Sequence, residues 1–222
     1  MKLDNIGVAL LKSASDKETT VNRHVLITGL GRGGTTAIAQ VFKAFGFYFD
    51  NPTLVMESIE LRSLLLNRKT EQLSEHIRVW QTSPLRHAWK DPKLRAPKFK
   101  DFISSLPSDI SLVIVFRDLI ATTLRHNSVT GGDFLEELER NSRTVAQMME
   151  TVKYQQASRT VILVSYEKLL TNTESVISRL ANIFDITEID KIADAVNAIE
   201  VSPKSYVTAC EESIKKIKQL GY

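Results

Sequence analysis

The chain has 222 residues, 43% of them hydrophobic and 25% charged, with a formal net charge of +3. That is enough chain for one α/β domain with a sizeable core, and the charge is too mild to argue for nucleic-acid binding while suiting a protein that handles anionic small molecules. A single cysteine, Cys210, excludes an intrachain disulfide and fits a reducing compartment.

In chain order, residues 1–20 read as a loosely ordered lead-in with one helical turn around Val8–Leu11. Its apolar run is too short for a signal peptide and is broken by Lys12 and Asp16. No later window reaches the length of a membrane span, so the expectation is a soluble, cytoplasmic protein. HVLIT (24–28) is a compact β-branched run ending in glycines and reads as a buried strand. Ile38, Val41, Phe42 and Phe45 recur at helical spacing, which predicts a helix over 34–45 stopped by Gly46. Residues 57–67 and 70–81 read as helices, HAWK (87–90) as a short strand cut off by Pro92, and 97–106 as a helix. SLVIVF (111–116) is a strong buried strand that ends in Arg117 and Asp118. Helices follow at 119–126 and 132–156, then the strand TVILVSY (160–166). Thr171 with Glu174 has the pattern of a capping box ahead of the apolar-periodic SVISRLANIF. Residues 187–199 and 205–219 read as helical.

Strands alternating with helices at this spacing predict an α/β fold in three layers, a mostly parallel sheet flanked by helices. The expectation is one domain over 1–222, closed by a helical C-terminal tail from 187. In such sheets ligands bind outside the carboxyl ends of the strands. The chemically interesting residues do follow strands: the glycine loop, Lys90-Asp91-Pro92, Arg117-Asp118 and Tyr166-Glu167.

The glycine loop is ITGLGRGGTT (27–36). Strand, glycine loop and helix are the context of a phosphate loop, in which backbone N–H groups and the helix N-terminus form an anion site. Gly29 and Gly34 have the Walker A separation and Thr36 stands at its Ser/Thr position, yet Thr35 occupies the place of the lysine. The loop's cation is Arg32. Without that lysine, and without an apolar strand ending directly in aspartate, adjacent β- and γ-phosphates with metal are poorly provided for. A nucleotide with a single 5′-phosphate fits better. His24, His76 and His126 show no metal-ligand spacing, so no metal site is expected.

These motifs resemble those of the P-loop sulfotransferases that use 3′-phosphoadenylyl sulfate (PAPS), bacterial-type members in particular. GRGGTT (31–36) is similar to the family's Pro-Lys/Arg-Ser-Gly-Thr-Thr core, with Gly31 for the proline and Gly33 for the serine. VIVFRDLIATTLR is similar to the strand ending in Arg-Asp-Pro with a serine eight residues after the arginine; here Leu119 replaces the proline and Arg125 the serine. WKDPKL (89–94), NPTLVMESIEL (51–61) and VSYEKLLTNTESVISRLANIFDI (164–186) resemble further segments in the family's order. The resemblance covers about residues 24–186, and no Arg-Lys-Gly motif follows it.

The resemblance implies transfer of a sulfuryl group from PAPS to an acceptor hydroxyl by in-line displacement, leaving adenosine 3′,5′-bisphosphate. A sulfonate carries less charge than a transferring phosphoryl group, so side-chain cations and backbone donors can stabilise the leaving oxygen without metal. Arg32 would contact the 5′-phosphate and the bridging oxygen, and Gly33, Gly34, Thr35 and Thr36 would hold the 5′-phosphosulfate. Arg117 would bind the 3′-phosphate, Arg125 would join it, and Tyr166 would lie beside the adenine. Glu57 is the first choice as general base, with Glu60 one turn later and His87 as substitutes; Lys90 would point to the sulfonate or the acceptor. Arg86, Lys90, Lys93, Arg95, Lys98 and Lys100 would form an electropositive approach. The acceptor implied is a carbohydrate or glycoconjugate hydroxyl, with a small lipid or secondary metabolite next. Oligomeric state is not legible. The rival readings are a Mg-ATP-dependent P-loop kinase and a non-catalytic nucleotide-binding module on the same fold.

Overall fold

A computed structural model of the chain describes residues 5–11 and 23–199; the expectations for residues 1–4 and 12–20, for a helix at 205–219 and for Cys210 fall outside that range. The strands are β1 (Val8–Leu11), β2 (His24–Gly29), β3 (Tyr48–Phe49), β4 (His87–Lys90), β5 (Ile110–Phe116) and β6 (Val161–Ser165). They form one sheet in the order β1-β6-β5-β2-β4-β3. All neighbours pair in parallel except β1, which runs antiparallel to β6. The helices are α1 (Thr35–Ala44), α2 (Ile59–Leu66), α3 (Thr70–Arg78), α4 (Lys100–Ser105), α5 (Leu119–Thr130), α6 (Phe134–Gln155), α7 (Tyr166–Thr171), α8 (Thr173–Ile183) and α9 (Ile189–Asn197).

Alternate residues of the central strands feed two separate cores. Val25 and Ile27 of β2, with Val113, Val115, Ile162 and Val164, pack on Ile38, Val41 and Phe42 of α1 and on Val176, Ile177 and Leu180 of α8. Leu26, Leu112, Ile114 and Val161 point the other way, onto Leu61 and Leu65 of α2, Leu73 and Ile77 of α3, and Met148 and Val152 of α6. This is why HVLIT and SLVIVF are apolar without alternation: a parallel sheet covered on both faces buries every side chain. The mostly parallel three-layer α/β architecture expected from the sequence is the one observed.

Three local expectations are corrected. Val8–Leu11 is not a helical turn but an edge strand, in register with Val164 through Val161. A four-residue apolar run carries no period of its own, and the open edge of β6 satisfies its backbone groups. Tyr166 does not end a strand; it opens α7, with the Ser165 hydroxyl accepting from Lys168 N–H. Thr171 and Glu174 make no capping box, because Asn172 takes the cap position of α8 and the Thr171 hydroxyl donates back to Glu167 O (3.0 Å).

Because β2, β4, β5 and β6 are parallel, Gly29, Lys90, Phe116 and Ser165 all finish at one edge of the sheet. His24 and His87 start at the other.

Candidate active site

The loop after β2 turns back on itself, with Gly33 N–H donating to Leu30 O at 2.9 Å. A Cβ on Gly33 would stand 2.8 Å from that carbonyl oxygen, so the family-like serine cannot sit here without moving the turn. Gly31 has no such constraint, since a Cβ there would meet nothing within 4 Å. Gly34 is left-handed (φ +91°), lies against the Tyr166 ring and forms the N-cap of α1 without a side-chain hydrogen bond. The first N–H groups of α1 thus have no side-chain cap at Gly34. Thr35 and Thr36 are buried at the start of the helix, and the Thr36 hydroxyl donates to Val55 O (3.3 Å).

Arg32 also takes a left-handed backbone (φ +66°), a conformation costing a non-glycine residue about 1–3 kcal/mol. Its carbonyl accepts from Arg117 Nη1 at 2.9 Å, which ties the loop to the end of β5. The Arg117 guanidinium lies over the Tyr166 ring, 4.8 Å from its centroid. Arg32, Gly34, Arg117 and Tyr166 therefore form one contiguous wall. Asp118 does not pair with Arg117: its carboxylate caps α5 through Ala121 N–H (2.8 Å), and its own N–H donates to Glu167 (2.8 Å). Arg125 lies on α5, seven residues from Asp118 and so on the same helical face.

On the opposite side of the loop, Lys90 is 2% exposed. Its Nζ donates to Glu57 Oε1 (2.7 Å) and Val55 O (3.0 Å). Glu57 Oε2 pairs with Arg62, whose Nε lies 3.9 Å from Asp91 Oδ2. Asp91 is fully buried and accepts from Lys93 N–H (2.7 Å). The expected base and the expected sulfonate-directed lysine thus pair with each other, within a largely buried tetrad. Arg62 belongs to it although nothing in its sequence context marked it, and Asp91, marked only as part of the strand-end Lys90-Asp91-Pro92 segment, is its fourth member. His87 is not brought to the loop at all. In the register Val25↔Ala88 and Ile27↔Lys90 it begins β4, stacked on Trp80 (5.3 Å, 8°) with Nε2 2.7 Å from the Ser83 hydroxyl.

The basic run 86–100 is no single patch. Arg86 donates to Phe184 O, and Lys98 and Lys100 lie over the rings of Phe99 and Tyr154. Arg95 reaches Gly29 O (3.4 Å) and Pro92 O beneath the loop. Only Lys93 and Arg95 line a cavity of about 910 Å³ that opens at Gly31 and is walled by α5 and α6. On its far wall, His126 Nδ1 lies 2.9 Å from Glu137 Oε1, and Glu137 Oε2 pairs with Arg140. Glu137 is 5% exposed. Burial, then the charges of Arg140 and Arg32, hold the His126 pKa below its ordinary value. The sequence reading set His126 aside for want of metal-ligand spacing; its partner lies on the next helix, eleven residues on, which no local period reveals.

The fold is a six-stranded, mostly parallel α/β sheet flanked by helices, with the glycine loop between a central strand and its helix. No protein-family model and no curated protein matches the sequence. Among solved structures the chain is similar to sulfotransferase STF9 from Mycobacterium avium, at 11% identity over 88% of this chain and 77% of that one, with a TM-score of 0.51. Two others are the sulfotransferase domain from the curacin biosynthetic pathway (12% identity, 81% and 82% covered, TM-score 0.49) and sulfotransferase STF1 from Mycobacterium tuberculosis H37Rv (16%, 83% and 73%, 0.47). The likeness to STF9 is one of fold.

Proposed function

We propose that the protein is a sulfotransferase that moves a sulfuryl group from PAPS to an acceptor hydroxyl, with a carbohydrate or glycoconjugate as the leading acceptor class. The observation that carries this reading is the loop. It presents a helix N-terminus without a side-chain cap, with Thr35 buried where an ATP-dependent loop needs its lysine, and with Arg32 as its cation. The donor fits these residues: Gly33, Gly34, Thr35 and Thr36 would hold the 5′-phosphosulfate, Arg32 would stabilise the leaving oxygen, Arg117 with Arg125 would take the 3′-phosphate, and Tyr166 would lie beside the adenine. The donor supplies an activated sulfonate; the chain's part is to bind it, orient it and neutralise the developing charge. Lys90 and Glu57 support the loop from beneath, since Lys90 and Thr36 share Val55 O as acceptor.

Thermal melting tests the reading directly. Adenosine 3′,5′-bisphosphate without Mg²⁺ should raise Tm with the logarithm of its concentration once that exceeds Kd, and Arg117→Ala should remove most of that rise. Stabilisation by ATP with Mg²⁺ alone would instead support a kinase. Binding of the bisphosphate with no sulfate transfer from PAPS to any hydroxyl would support a nucleotide-binding module.

A further inference from the structure

The cavity beside the loop has two walls of different electrical character. One is the short turn Pro92–Arg95 that follows β4, capped by the Asp91 carboxylate through Lys93 N–H (2.7 Å) and begun by a proline. From that fixed turn Lys93 and Arg95 reach the cavity; the other wall belongs to the start of α6. We propose that this cavity receives the acceptor, and that Lys93 and Arg95 bind an anionic group on it, so that the acceptor is a carbohydrate carrying a carboxylate or phosphate beside its hydroxyls. The inference rests on the sulfuryl-transfer reading above.

Three observations carry it. The first is charge. On the α6 wall most charges are answered locally. Asp133 accepts from Leu135 and Glu136 N–H (2.9 Å each), Glu137 Oε2 pairs with Arg140, and Glu139 lies 3.5 Å from Arg143. Glu136 alone is left over, and it is exposed. On the turn the balance differs. Lys93 is exposed, and its ammonium makes no hydrogen bond or ion pair among the described residues. Arg95 gives Nη1 to two backbone carbonyls, Gly29 O and Pro92 O, while its Nε is buried without a partner among the described residues. Asp91 is the negative charge that both feel, but Asp91 already belongs to the tetrad. With Lys90 and Arg62 against Glu57 and Asp91, the tetrad is neutral in itself. The two charges of Lys93 and Arg95 therefore stand in excess. Partial burial, then the like charges of Arg95 and Arg62, hold the Lys93 pKa below its ordinary value, as expected of an ammonium short of counter-charge.

The second observation is separation from the donor. The cavity meets the loop at Gly31, where a Cβ would find nothing within 4 Å. Gly33, Gly34, Thr35, Arg117 and Tyr166, the residues that would hold the donor, do not line it. The excess charge is thus offered to a second ligand beside the donor. The third is the rest of the lining. Glycine apart, no apolar residue stands among the described residues around the cavity, and its volume of about 910 Å³ has room for a disaccharide. Such walls take hydroxyls by hydrogen bonds and an anion by charge-assisted ones, and offer nothing to an aryl or alkyl group.

The test uses the full chain, radiolabelled PAPS and four acceptors: cellobiose, its 6′-carboxylate, its 6′-phosphate and 2-naphthol. One charge-assisted contact should raise kcat/KM for an anionic disaccharide about 10- to 100-fold over cellobiose, and 2-naphthol should be the poorest acceptor. The better of the two anions tells a sugar acid from a sugar phosphate. Lys93→Met should erase the preference for the anion, and Lys93→Arg should keep most of it. Calorimetry with adenosine 3′,5′-bisphosphate already bound should show the same order of affinities without any transfer. The rise in Tm caused by the bisphosphate alone should be the same in Lys93→Met as in the wild type. Equal kcat/KM for cellobiose and both anions overturns the inference, as does an anion preference that survives Lys93→Met, or a preference for 2-naphthol. Loss of the bisphosphate effect in Lys93→Met overturns it too, by placing Lys93 in the donor site. A wild type that binds the bisphosphate and sulfates none of the four also overturns it and leaves the donor reading standing. A wild type that neither binds the bisphosphate nor transfers sulfate removes the donor reading itself, and the inference with it.

Discussion

Gly31, Gly33 and Gly34 look alike in the sequence and differ in what the structure asks of them. Gly34 has φ +91° and faces the Tyr166 ring, while Gly31 has open space where a Cβ would go. Gly34→Ala should therefore destabilise the fold by about 1–3 kcal/mol from backbone strain, with a further cost for displacing the ring. Gly31→Ala should be near neutral. Urea denaturation of the two variants checks this, and equal effects would refute it. The spacing of the glycines made the loop legible, because strand, glycine turn and helix stand in local order. Which glycine is obligatory depends on Tyr166 and Leu30, and for Tyr166 that means a contact across more than a hundred residues. Arg32 and Arg117 were legible as loop and strand-end cations, but the bond from Arg117 to the Arg32 carbonyl was not.

At the scale of elements, the tetrad joins β4, α2 and the segment between α1 and α2. Lys90→Met would leave Glu57 Oε1 without its buried donor and Val55 O with the Thr36 hydroxyl alone. Breaking one side of a buried ion pair costs about 3–5 kcal/mol, so this variant should lower the denaturation midpoint sharply. The Lys90→Met/Glu57→Gln double variant should recover part of the loss, and a coupling energy near zero in that cycle would contradict the pairing. Long, strongly apolar elements were read well from sequence: β2, β5 and β6 lie within a residue or two of expectation. The short edge strands were not. β3 has two residues and takes its strand identity from β4 alone, with Tyr48 against His87 and Phe49 against Ala88. β1 is an edge strand for the same reason. The site shows the same division. Residues at strand ends, Asp91 among them, were named, whereas the partners Arg62, His126 and Glu137 belong to pairings between elements that sequence spacing does not encode.

Over the whole molecule, the two edges of the sheet do different work. The loop edge carries the charged groups, while the opposite edge closes on a neutral aromatic cluster around His24. His24 is fully buried, accepts from His87 N–H at 3.0 Å and lies 5.8 Å from the Trp80 ring. Burial, followed by the charges of His87, Arg23 and Arg86, lowers its pKa from 6.5 to about 4. The unfolded chain thus takes up a proton on this residue near pH 6.5, and the folded chain only near pH 4. Between those values unfolding binds a proton, so stability is full above the unfolded pKa, falls as the pH drops below it and levels off once the folded site titrates. The difference corresponds to roughly 3 kcal/mol. His87, lowered mainly by burial, acts in the same direction. Carboxylates titrate over the lower part of the same range, so the contribution of His24 is isolated by comparison with His24→Asn, whose amide oxygen can keep the bond to His87 N–H. Denaturation free energies of the two proteins, measured from about pH 7 to about pH 4, should converge as the pH falls, because only the wild type loses the His24 term. Parallel curves would mean that the imidazole titrates alike in the folded and unfolded chains, whereas curves in which the wild type gains on the variant as the pH falls would mean a folded imidazolium drawing on Asp109 3.9 Å away; the neutral cluster would then be an ion pair, and this edge of the sheet would be stabilised by charge instead of by its exclusion.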